Sequence, residues 1–203
     1  VQLRQTLNER DRTKRPRLNQ ALRVKLTAVT VLALFTLAAP VGAAVLSAPE
    51  LLRAVRLNEV ARVRQHLEGG GDAELYDRAG RTALQVAIRH GHGSLTALLV
   101  KTGARLGKTD TDGWQAMHHA AAGGELGAVK VLIGAGARVD VMDPYRYRPL
   151  HLAARQGFTE ICKLLVRHGA DPRARIDVGF TAADLAQDQF PTLAEYLRAE
   201  AAP

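Results

Sequence analysis

The sequence predicts an all-α repeat solenoid of about five helix-turn-helix units over residues 48–203, carried behind an export leader at residues 1–44. Three observations lead there. Marker residues recur in register every 33 residues through the body of the chain. With one tryptophan, four tyrosines and four phenylalanines in 203 residues, the core has to be built mostly from small and aliphatic side chains, which suits closely stacked helices. A basic stretch followed by an unbroken apolar run stands in front of the repeats.

Residues 1–25 hold Arg4, Arg10, Arg12, Lys14, Arg15, Arg17, Arg23 and Lys25 against Glu9 and Asp11, a net +6 of the +8 carried by the whole sequence. The remainder is near neutral, at +2, with its signs interspersed. It offers no basic stripe for phosphates, so the overall basicity reads as targeting, and nucleic acid is not the expected partner. Residues 26–39 are apolar, Pro40 and Gly42 break the run, and Ala43 and Ala44 supply the small residues that a signal peptidase selects. This order predicts cleavage after Ala43 or Ala44; translation starting near Val24 would give a compact leader. The competing reading is an uncleaved anchor, since residues 26–49 are long enough to span a bilayer. Pro40 and Gly42 fall where a stable span wants good helix formers. Cys162 is the single cysteine, so no internal disulfide is expected.

The first unit, about 48–76, is degenerate. Ala54 and Asn58 fall on its alanine and glycine positions, predicting helices over 51–57 and 59–67 that end at Gly70-Gly71-Asp72. The next three units, about 77–109, 110–142 and 143–175, open on Asp77, Asp110 and Asp143. They continue with Ala87, Ala120 and Ala153, then Gly91, Gly124 and Gly157, and close on Gly103-Ala104, Gly136-Ala137 and Gly169-Ala170. Between these markers Leu95, Leu98, Leu99, Val129, Leu132, Ile161, Leu164 and Leu165 recur at helical spacing and are assigned to the core. The fifth unit, about 176–203, keeps Gly179 and Ala186 but places Phe190-Pro191 where the others have their interhelix glycine. Its last helix is expected over 193–199, packed at an unusual angle. Arg146 stands on a finger position that elsewhere holds glycine, which predicts strain of about 1 kcal/mol.

Pro149-Leu150-His151-Leu152-Ala153-Ala154, Gly157, Leu164-Leu165 and Gly169-Ala170-Asp171 resemble the ankyrin consensus. The resemblance covers nearly everything after the leader. It implies a short β-hairpin finger, an inner helix, a tight turn and an outer helix in each unit, stacked into a curved solenoid. It also implies that His118 and His151 hydrogen-bond the neighbouring finger rather than take part in chemistry.

Candidate chemistry is sparse. Adjacent histidines such as His118 and His119 point to different faces of a helix and do not converge on a metal. Gly69-Gly70-Gly71 lacks the Lys-Ser/Thr of a phosphate loop. No cofactor, no metal and no catalytic activity are expected. The binding face is richer: counting each unit from its opening aspartate, position five at the finger reads Arg81, Trp114, Tyr147 and Phe180, with Arg78 and Tyr145 beside them. Positions thirteen and fourteen of the inner helix add Arg89, His90, Arg155 and Gln156. Trp, Tyr and Arg are the types most enriched at interface hot spots; the alternative is that the rings pack finger against finger, and one ring can do both.

The expectation is therefore a periplasmic or secreted module, monomeric, that binds another protein on its concave face as scaffold, stabiliser or inhibitor. Two alternatives remain open: an immunity protein that neutralises a toxic enzyme, and an assembly factor tethered by an uncleaved leader, the one case in which a membrane is involved.

Overall fold

A computed structural model describes residues 45–202, so the leader expected at 1–44 lies outside the described residues. The described residues make one compact unit. Ten helices follow one another among the described residues: α1 (Ala48–Arg56), α2 (Val60–Glu68), α3 (Ala83–Arg89), α4 (Gly93–Lys101), α5 (Ala116–Ala122), α6 (Leu126–Gly134), α7 (Pro149–Arg155), α8 (Thr159–Arg167), α9 (Ala182–Ala186) and α10 (Pro191–Glu200). The odd-numbered helices form the inner layer, each packed on the next, and the even-numbered ones lie against them as an outer layer. No helix among the described residues is long and apolar enough to cross a membrane.

Small side chains set the spacing of the inner layer. Ala54, Ala87, Ala120, Ala153 and Ala186 are all completely buried, so a larger residue at any of them would wedge neighbouring units apart. Leu95, Leu99, Val129, Leu132, Ile161 and Leu165 are buried in the common core; full burial of such a side chain is worth about 1.5–3 kcal/mol. Leu98 and Leu164 lie half-buried at the edge of that core.

Two helices begin earlier than the repeat frame predicts. α1 starts at Ala48 because Ser47 caps it, its N–H and hydroxyl both donating to Glu50 at 3.0 and 2.7 Å. α10 starts at Pro191, whose fixed φ suits a first turn. Ahead of α1, Leu46 is buried and donates its N–H to Nδ1 of the fully buried His66 at 2.9 Å, while Nε2 of the same ring donates to the Asp72 carbonyl at 3.2 Å.

Asn58 and Arg146 occupy glycine positions with left-handed backbone, φ 56° and 62°. Gly124, at φ 73°, is required on two counts, because a Cβ there would also lie 2.7 Å from the Phe158 ring. Phe190 covers Gly157 in the same way. The aromatic residue that displaces the last interhelix glycine is thus the lid of the glycine one unit back, and its own φ is an ordinary −135°.

Each of the first three finger turns is organised by its opening carboxylate. Oδ1 of Asp77 accepts the N–H groups of Ala79 and Arg81 (2.9 and 3.0 Å), Asp110 those of Asp112 and Trp114 (3.0 and 2.9 Å), and Asp143 those of Tyr145 and Tyr147 (3.0 and 2.8 Å). Among the described residues pairing is limited to isolated bridges, Tyr76 with Thr82 and Arg175 with Thr181, so the fingers are hairpin-like turns rather than ladders.

Finger and helix are joined at position nine of the unit. Nδ1 of His118 accepts the Gln115 N–H at 3.1 Å and Nε2 donates to the Tyr147 carbonyl at 3.3 Å. His151 repeats this with the Arg148 N–H at 3.1 Å and the Ala174 carbonyl at 2.9 Å. Gln85 does the same with an amide: Oε1 accepts the Thr82 N–H at 2.8 Å, and Nε2 donates to the carbonyls of Lys108 and Trp114, each at 2.9 Å. Burial holds the imidazoles of His118 and His151 below the usual range, against the pull of the carbonyl each one binds.

Candidate protein-binding groove

The second oxygen of each finger carboxylate selects a different donor, and this choice shapes the groove between fingers and inner helices. Asp77 Oδ2 takes Nε and Nη2 of Arg81 at 3.0 and 2.7 Å, so Arg81 is a tied residue. Asp110 Oδ2 accepts Nε2–H of His119 at 2.8 Å, both side chains being almost wholly buried. Asp143 Oδ2 accepts the indole N–H of Trp114, one unit earlier, at 3.1 Å.

These bonds brace part of the aromatic row. Trp114 is half-buried, lies at 25° to the His118 ring with centroids 6.1 Å apart, and meets His119 edge-on at 5.3 Å. Tyr147 is half-buried and meets His151 edge-on at 6.2 Å. Both rings therefore brace neighbouring elements while also lining the groove, so each is placed for both of the roles that the sequence leaves open. Tyr145 and Phe180 are the open ones, 69% and 53% exposed.

Arg89, Trp114, Tyr145, Tyr147 and Arg155 converge on one open hollow of about 480 Å³, floored by His119 and Leu152 and edged by Asp112 and Pro144. That volume is in the range of sites that hold a ligand group. Arg78 and Arg81 border a second hollow over α1, with Tyr76 and Arg56. His90, Gln156 and Phe180 line neither hollow, although all three are exposed.

His119, Asp112, Leu152 and Arg56 were not legible as groove residues from residue type alone. Position in the repeat would have found them: His119 and Leu152 share position ten, and Arg56 stands in the first unit where Arg89 and Arg155 stand in theirs. Burial holds the His119 imidazole below the usual range; Asp110 opposes this, and Arg89 and Arg81 add to it. The neighbouring Thr111 hydroxyl donates to the Ala79 carbonyl at 3.0 Å. Among the described residues no three His, Cys, Asp or Glu side chains are placed to hold a metal ion.

Stacked helix pairs with carboxylate-organised fingers and a groove of interface-type side chains define a repeat protein of the interaction class. The family model for ankyrin repeats (3 copies) matches residues 51–143 and 125–202, and the chain belongs to the ankyrin-repeat family. Among curated proteins it is similar to the human transient receptor potential cation channel subfamily A member 1, at 38% identity over 69 residues. That stretch is 34% of this chain and 6% of the channel, so the likeness concerns repeats alone. Ankyrin repeats generally mediate protein–protein binding.

Proposed function

We propose that this chain is an exported protein-binding module that holds its partner in the groove between fingers and inner helices, centred on α5 and α7. The observation that carries the reading is the convergence of Arg89, Trp114, Tyr145, Tyr147 and Arg155, contributed by three units, on one open hollow. Large, stiff side chains already braced by Asp143, His118 and His151 bury area at little entropic cost, which favours hot-spot use. Export rests on the order of residues 1–44: basic, apolar, broken, then small.

The binding reading is tested by placing a photo-crosslinking amino acid at Tyr145 or, as a control, at the exposed Lys130 on α6. Crosslinks to a second protein from position 145 and not from 130 are expected; crosslinks from neither, or from both alike, overturn the groove assignment. Export is tested by intact mass of the osmotic-shock fraction, where a mature N-terminus at Ala44 or Val45 is expected. A full-length species confined to membranes replaces it with the tethered reading.

A further inference from the structure

Position thirteen of the unit ends the inner helix in the first four units and falls beyond it in the fifth, and its arginines line the two hollows. It reads Arg56, Arg89, Ala122, Arg155 and Asp188. Arg56, Arg89 and Arg155 are the last residues of α1, α3 and α7 and are exposed. Unlike Arg62, Arg81 and Arg148, which pair with Glu59, Asp77 and Asp140, none of the three pairs with a carboxylate among the described residues. A neighbouring side chain registers the field of Arg56 and Arg89. The imidazole of His90 is held below its usual range by burial, then by His92, Arg56, Arg89 and Arg81. Between Arg56 and Arg155 the row is interrupted in the third unit, where Ala122 is small and where α5 carries His119 to the floor of the hollow between Trp114 and Tyr147, and it ends in the fifth unit at Asp188.

We propose that the groove takes an extended acidic polypeptide segment, with carboxylates on Arg56, Arg89 and Arg155 and one large apolar side chain seated between Trp114 and Tyr147. This rests on the protein-binding reading and adds the chemistry of the partner. Packed helices lie about 8–10 Å apart, so three unit steps from Arg56 to Arg155 span roughly 27 Å, about eight residues of extended chain at about 3.3 Å each. Arginine presents a planar fork to a carboxylate and holds it in two parallel bonds. Single-stranded nucleic acid fits less well. Its phosphates are continuous, whereas the arginine row has a gap, the exposed carboxylate of Asp112 stands at that gap, and Trp114 is wedged against His118 and His119 rather than offered as a stacking platform.

The test uses the full-length chain in mild detergent and a fluorescein-labelled peptide of glutamates around one central phenylalanine, about nine residues long to match the span above. Fluorescence anisotropy should show binding that weakens at least about tenfold from low to high salt, as screening predicts. Replacing the phenylalanine by alanine should weaken it further. Arg56→Gln, Arg89→Gln and Arg155→Gln together should lower affinity at least about tenfold with unchanged melting, since exposed arginine stems contribute little to the core. Bound glutamates should also raise the His90 pKa in an NMR titration, a readout that a purely structural role for the arginines would not move. A lysine peptide that binds equally, a triple variant that binds like the parent, or an oligothymidylate of equal charge that binds more tightly would each overturn the proposal. Failure of the glutamate peptide together with specific crosslinking from position 145 removes the acidic-segment inference and leaves the protein-binding reading standing; failure of both removes both.

Discussion

Arg146 carries a backbone cost that Gly80, Gly113 and Gly179 avoid at the same place in the finger. Left-handed backbone costs a residue with a Cβ about 1–2 kcal/mol, and glycine returns part of that in lost chain entropy. The Arg146 side chain is exposed, so Arg146→Gly should stabilise the protein by about 0.5–1 kcal/mol in urea unfolding; a loss of stability would mean that the side chain holds the finger. His118 and His151 give a second residue-scale test, with a sign. Their folded pKa values lie below the unfolded value of about 6.5. Above that pH both states are neutral at these rings and the rings contribute no pH dependence. As pH falls through it, the unfolded chain takes up protons that the folded protein refuses, so stability drops until the folded pKa is passed. His118→Gln or His151→Gln copies Gln85, keeps both hydrogen bonds and removes one proton from the slope. Urea midpoints that fall just as steeply with acid in the double variant would show that these rings are not the cause.

Among the elements, the finger and the inner helix separate structural from binding roles. Trp114→Phe leaves Oδ2 of the buried Asp143 without its donor, a loss of about 1–3 kcal/mol of stability. Tyr145→Ala removes an exposed ring and should leave stability within about 0.5 kcal/mol while costing about thirtyfold in partner affinity if it is a hot spot. Leu132→Ala and Leu165→Ala should each destabilise by about 2–5 kcal/mol and lose binding only through unfolding. A Tyr145→Ala variant that melts early but binds normally would place that ring in the scaffold. The repeat register was plain in the sequence because the buried helix contacts favour alanine and the left-handed turns favour glycine, each at fixed places in the unit. The site was only half legible. Aromatic and arginine residues announce contact by type, but Trp114 and Tyr147 turned out to brace as well as line, and type does not distinguish the two. Gln85 is hidden by type, because the consensus at position nine is histidine while the structure asks only for one acceptor and one donor on one side chain. Arg56 is less plain because the first unit lacks the opening aspartate from which the groove positions are counted, although Ala54 and Asn58 fix its register.

At the scale of the whole molecule, a stack in which units touch only their neighbours can unfold together or in sections. Two probes report on adjacent units. Trp114 fluorescence follows the third, and Cys162, completely buried with its thiol pushed up to about 12 by burial, follows the fourth. The native thiol should resist Ellman's reagent at pH 8 and become reactive along the denaturant transition that the indole reports. Coincident curves are expected for a cooperative stack; thiol reactivity well before the fluorescence change would show that the C-terminal units open first. The bond from Leu46 to His66 bears on a different event, the timing of maturation. Under the export reading the scissile bond after Ala44 lies two residues ahead of a backbone N–H that the folded first unit already holds. A peptidase needs its substrate extended through its cleft, so Leu46 cannot be threaded through the enzyme and docked on His66 at once. Processing and folding of the first unit then compete in time. His66→Ala should speed leader removal in a pulse-chase, even as it weakens the unit that the cleaved chain has to complete.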